Sequence, residues 1–148
     1  MCIRDSYKLA WLNSVTDFIR EQLTLYPKLV VLGDFNIAPE DNDVHDPVFW
    51  QNSVMVSAAE RQAFMKLLDL GLKDSFRLFP QQGNSYTWWD YRAGAFRRNF
   101  GLRIDHILLS RVLHQQCNSC CIDKMPRKWQ RPSDHAPIWI ELTNVCNH

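Results

Sequence analysis

Leu29-Val30-Val31-Leu32-Gly33-Asp34-Phe35-Asn36 is the stretch that decides the architecture. A continuous apolar run ended by glycine reads as a short strand buried on both faces. Asp34 and Asn36 then fall just past its C-terminal end, where a rigid element aims side chains that a loop leaves accessible. Upstream, Trp11, Val15, Phe18 and Ile19, with Leu12 and Leu23, recur at helical spacing and Pro27 closes the segment, which predicts a helix over 7–25. Downstream, Glu40, Asp41, Asn42, Asp43 and Asp46 crowd between two prolines, a composition expected of an exposed loop. Ser57-Ala58-Ala59-Glu60 is a capping box that opens a second helix. Phe64, Met65, Leu67 and Leu68 form its apolar face, and Gly71 supplies the left-handed residue that ends it. Beyond residue 85 the pattern shortens to aromatic and β-branched runs at 86–89, 103–109, 116–122 and 136–142, read as strands. Helices followed by a series of strands predict an α+β layered fold.

The chain has 148 residues, 46% of them hydrophobic and 22% charged, which places it among single globular domains. Its formal net charge of +1 excludes an overall field that would attract a polyanion. Charge is instead local. Arg92, Arg97, Arg98 and Arg103 form one basic cluster, and Lys124, Arg127, Lys128 and Arg131 a second, each beside polar segments and suited to phosphate. Five cysteines, Cys2, Cys117, Cys120, Cys121 and Cys146, include a Cys-x-x-Cys-Cys stretch without a second ligand pair, so they read as free thiols rather than a zinc site. The odd count and the lack of a signal peptide fit a reducing cytoplasm. No apolar run reaches the length of a membrane span, and no membrane partner is expected.

Four segments concentrate functional groups: Gly33-Asp34-Phe35-Asn36, Tyr86-Thr87-Trp88-Trp89-Asp90-Tyr91-Arg92, Gly101-Leu102-Arg103-Ile104-Asp105-His106 and Ser133-Asp134-His135-Ala136-Pro137. Each alone has a bland reading as a turn, a hydrogen-bonded strand aspartate or a structural histidine. Jointly they supply what phosphodiester hydrolysis requires: a carboxylate to deprotonate water, further carboxylates for a metal, an imidazole for the phosphate and an amide for orientation. Trp88 and Trp89 alternate on a strand, so one of them faces the core.

In order and context these segments resemble exodeoxyribonuclease III and its abasic-endonuclease relatives, within the endonuclease, exonuclease and phosphatase superfamily. The Gly-Asp-x-Asn and Ser-Asp-His pieces are superfamily-wide. The pieces around Trp88 and Asp105 are similar to the DNA-repair branch. The resemblance implies the C-terminal half of a four-layered αββα, DNase I-like sandwich, with a mixed, mainly antiparallel sheet and helices on one face. It spans 7–143, with 1–6 a non-family segment that reads as a translated remnant joined to an incomplete frame, and 144–148 a tail.

The same resemblance assigns roles. Asp34 would activate water, Asn36 would hold the water or a phosphate oxygen, His135 would contact the phosphate, and Asp105 would orient that imidazole. Asp34, Asn36 and Asp134 would hold Mg2+, or Mn2+ in its place. Trp88 and Leu102 would line a pocket for an extruded abasic sugar, and Arg92 and Arg103 would bind substrate. The partner would be double-stranded DNA with abasic sites or 3′ ends, and the full-length protein a monomer. Relatives also carry a metal-binding glutamate in a first half with no counterpart here, so the isolated chain is expected to be inactive. Two other readings stand beside this one: a superfamily phosphodiesterase for lipid or inositol phosphates, and a non-enzymatic DNA-binding fragment.

Overall fold

The computed structural model describes residues 3–143. Cys2, Cys146 and the tail over 144–148 lie outside them. In chain order the elements are α1 (Ile3–Leu25), β1 (Val30–Asp34), α2 (Pro47–Trp50), α3 (Ala58–Leu68), β2 (Leu72–Asp74), α4 (Ala95–Arg98), β3 (Asp105–Ser110), β4 (Cys117–Ile122) and β5 (Ile138–Leu142). Short 3-10 turns link several of them. The result is an α+β fold with antiparallel sheets.

One sheet has the order β1-β3-β2, and β4 pairs with β5 in a second. Helices α1 and α3 pack on one face of the first sheet, where Leu12, Ile19, Phe64 and Leu67 meet Leu72 and Leu108. The opposite face of β3 carries Ile107 and Leu109, which pack with Leu113, Cys117, Ile138 and Ile140. Central position therefore buries β3 on both faces. β1 departs from that expectation, because it is an edge strand and Leu32 is 68% exposed.

Local signals account for the helices. Ser57 Oγ accepts from the Glu60 amide while the Glu60 carboxylate accepts from the Ser57 amide, satisfying donors that the first turn of α3 leaves free. Gly71 follows with φ +100°, a conformation that strains any residue with a Cβ. In α1 the buried stripe runs through Leu9, Leu12, Val15, Ile19 and Leu23, whereas Trp11 and Phe18 lie off it and are exposed. The helix also begins at Ile3, ahead of the predicted start.

Two further expectations are corrected. Residues 86–89 form no regular strand. Trp88 makes isolated antiparallel bridges to Leu102 on one side and His135 on the other, so the segment changes partners before a ladder can develop. The acidic loop after Pro39 is not wholly exposed, because Asp43 is buried and bonded to Arg103. No helix among the described residues is long and apolar enough to cross a membrane.

Candidate active site

Antiparallel pairing of β1 with β3 sets Asp34 directly opposite Asp105. Directly opposed residues project from the same face of a sheet, so the pairing brings two carboxylates together although 71 positions separate them in the sequence. A third segment closes the group. Asp105 Oδ2 lies 2.9 Å from His135 Nδ1, and His135 Nε2 lies 3.9 Å from Asp34 Oδ2. One ligand atom from each of Asp34, Asp105 and His135 falls within 4.8 Å of the others.

Electrostatics divide the roles. Partial burial, helped by the charge on Asp105, raises the Asp34 carboxyl above its usual range against the opposing pull of Asn36 and His135. A raised carboxyl is a stronger proton acceptor than an ordinary aspartate. The hydrogen bond to Asp105 raises the His135 imidazole and outweighs its burial, so the cationic form is favoured.

Asn36 belongs to the same turn. It adopts φ 52°, which asparagine tolerates, and donates from its amide to Asp34 Oδ1 at 2.8 Å and from Nδ2 to Asp34 Oδ2 at 3.1 Å. Asp134 is adjacent but stands outside the three-residue group: its Oδ2 accepts from Trp88 Nε1 at 3.0 Å. Trp88 is half-buried against the cluster of Val44, Leu102 and Ile104, whereas Trp89 is fully buried in the core.

The fixed point of the site is Thr87, a buried residue to which sequence reasoning gave no role. Its amide donates to the Leu102 carbonyl, its carbonyl accepts from the Ala136 amide, and its hydroxyl accepts from the amides of Ile104 and Asp105. One residue thereby sews together the segments that carry Asp105 and His135. Gly101 permits this approach, since a Cβ there would stand 2.5 Å from Trp89 Nε1 and 2.7 Å from the Trp88 carbonyl.

Several assigned residues lie elsewhere. Arg103 is fully buried and cannot reach a substrate: Nε is 2.7 Å from Asp43 Oδ1 and Nη2 is 2.7 Å from Asp74 Oδ2. Leu102 is likewise fully buried, packed with Val44 and Ile104, so it lines no open pocket. Arg127, from the second basic cluster, is buried over the Phe96 ring and donates to the Ser133 carbonyl, where it braces the loop carrying His135. Arg92 is exposed but clamped on Asp90. Nothing in the local pattern distinguishes these buried arginines from solvated ones.

Beside Arg103, burial and the arginine's charge push His106 down to about 4, which leaves it neutral at pH 7. Its Nδ1 faces Arg103 Nη1 at 3.1 Å, so Nδ1 accepts and Nε2–H donates to the Ile37 carbonyl at 2.8 Å.

A cleft of ≈ 380 Å³ opens between Asp34, Asp105, Ser133 and His135. Another, of ≈ 590 Å³, lies on the far side of Asp34 and Asn36 against Tyr7, Lys8 and Trp11. A carboxylate pair, an amide and an imidazole at a cleft form an oxygen-rich donor set that fits a hard divalent cation together with a phosphate.

Residues 2–135 match the endonuclease/exonuclease/phosphatase family. The chain belongs to that family. Among family members, it is 41% identical to exodeoxyribonuclease III of Haemophilus influenzae over 121 residues, 77% of this chain and 45% of that protein. A 3′ phosphatase from Neisseria, solved with a product DNA hairpin, superposes with a TM-score of 0.94 at 45% identity, covering 96% of this chain and 55% of the other. An AP endonuclease from Archaeoglobus fulgidus gives 0.89 at 34% identity, covering 97% and 56%. The chain spans about half the length of these relatives.

Proposed function

We propose that this chain carries the water-activating and phosphate-binding residues of a magnesium-dependent DNA-repair phosphodiesterase that acts at abasic sites and 3′ ends. The observation that carries the reading is the convergence of Asp34, Asp105 and His135, within an α+β scaffold shared with a 3′ phosphatase and an AP endonuclease.

Asp34 accepts a proton from the attacking water, a role suited by its raised carboxyl. Asn36 locks the Asp34 carboxylate through both of its oxygens. His135, oriented by Asp105 and shifted by it toward the cationic form, donates from Nε2 toward a phosphate oxygen where negative charge grows. Asp34, Asn36 and Asp134 would hold Mg2+, which neutralises the phosphate and stabilises the leaving oxygen when bound. Trp88 faces an extruded sugar, and the free thiols of Cys117, Cys120 and Cys121 suit the reducing cytoplasm in which the protein works.

The test compares cleavage of abasic and 3′-phosphorylated duplexes in Mg2+ by the 148-residue chain and by a fusion carrying the N-terminal half of the Haemophilus relative. The isolated chain is expected to be nearly inactive and the fusion active. Asp34→Asn in the fusion should slow cleavage by roughly 10² to 10⁴. Normal turnover of that variant would overturn the assignment of the water-activating base.

A further inference from the structure

Asn36 stands in a left-handed backbone conformation in which its amide and side chain both bind Asp34, and its carbonyl is bound from outside the turn. The holding group comes from another layer of the fold. Lys8, on α1, reaches across with Nζ to the Asn36 carbonyl at 2.5 Å and to Glu60 Oε1 at the same distance. Its side chain is 17% exposed and that of Glu60 only 2%, so the pair is largely withdrawn from water.

Glu60 is fixed in turn. Its other oxygen accepts from the Ser57 hydroxyl at 2.7 Å and the Ser57 amide at 3.2 Å, as part of the cap of α3. Burial alone would raise this carboxyl, but the Lys8 and Ser57 hydrogen bonds overcome it and keep Glu60 ionised. An ionised, buried, capped carboxylate leaves the ammonium little freedom, so its donor to Asn36 is preorganised. A lysine serving only to neutralise Glu60 would have no reason to share its donors with the turn that carries Asp34.

We propose that Lys8 is a positioning residue of the site: anchored on Glu60, it holds the Asn36 carbonyl and thereby the hydrogen bonds that orient Asp34. This rests on the reading of Asp34 and Asn36 as site residues, but its test does not require turnover. The helix layer then transmits its geometry to the site through one ammonium group. Lys8→Arg keeps the charge and a donor, whereas Lys8→Met removes both.

The experiment is backbone amide exchange by NMR on the 148-residue chain and its variants. In Lys8→Met the Asn36 amide should exchange about tenfold faster, the scale of a lost charge-assisted hydrogen bond, while the neighbouring Phe35 amide, bonded to the Ile104 carbonyl at 3.0 Å, keeps its protection. Lys8→Arg should restore Asn36. If Lys8→Met fails to fold because Glu60 loses its counter-ion, the double change of Lys8→Met with Glu60→Gln removes both charges and retains a residue compatible with the cap. The same selective loss at Asn36 is expected there. Unchanged Asn36 protection in a folded variant lacking the ammonium, or equal loss at Phe35 and Asn36, overturns the proposal. Titration of the fusion with Mg2+ alone separates the two readings: absence of any response at Asp34, Asn36 and Asp134 would count against the metal site while leaving the Lys8 result in the 148-residue chain intact.

Discussion

Asp105 and His135 sit 30 positions apart in sequence yet share a 2.9 Å contact between Oδ2 and Nδ1, which orients the imidazole and raises its pKa above the ordinary histidine value. Asp105→Asn should therefore lower the His135 pKa and free its ring. A histidine titration followed by NMR checks this directly; a midpoint unmoved from wild type would show that Asp34 or Asp134, rather than Asp105, sets the charge of the ring.

Arg103 gives the largest predicted loss of stability. Burial pushes Asp74 up, but Arg103 and His106 hold it below the usual carboxylate range, and Asp43 depends on the same guanidinium. Arg103→Met leaves these carboxylates buried without that partner, which costs about 3–5 kcal/mol. Urea unfolding should show the loss, while the exposed Arg92→Ala should leave the midpoint unchanged. Comparable midpoints for the two variants would contradict the buried ion network.

The two site-proximal histidines predict opposite pH dependences. His106 falls from its ordinary 6.5 to about 4, so the unfolded chain binds its proton first and stability declines as pH drops from about 6.5 through 4. His135 is raised, so its contribution is fully present below about 6.5 and fades as pH rises through its higher folded value. The depression of His106 dominates. Unfolding free energies between pH 7 and 4 should fall, and His135→Gln should make that fall steeper; a shallower fall in the variant would reverse the assigned sign.

Trp88 separates ring packing from hydrogen bonding. Trp88→Phe keeps an aromatic ring against Trp50 but removes the donor to Asp134 Oδ2. A loss of about 1–2 kcal/mol in denaturant unfolding is expected from the missing hydrogen bond. Full wild-type stability would mean that water replaces the indole without cost. In the active fusion, Trp88→Ala should weaken abasic DNA more than intact duplex.

Gly101 is a steric prediction. Gly101→Ala forces a methyl group into the Trp89 indole and the Trp88 backbone, and overpacking of this kind costs about 1–3 kcal/mol. Thermal unfolding of Gly101→Ala beside wild type measures it, and an unchanged midpoint would show that the Trp88 segment can retreat.

Elements with local causes are legible in the chain alone. The capping box at Ser57 and Glu60 starts α3, and the apolar run before Gly33 makes β1, because backbone donors, glycine freedom and apolar periodicity act over a few residues. The chain also offers the candidate inventory of the site, since Asp34, Asn36, Asp105 and His135 lie in motifs that resemble those of known nucleases. Tertiary structure alone decided which charges are available for that chemistry. Arg92 and Arg103 look alike in the chain, yet one is clamped at the surface and the other is locked between Asp43 and Asp74. Likewise, nothing near Lys8 in sequence announces Asn36, 28 residues away, or Glu60, 52 residues away. Burial and pairing depend on strand register and layer packing, and these bring together residues whose local patterns carry no trace of one another.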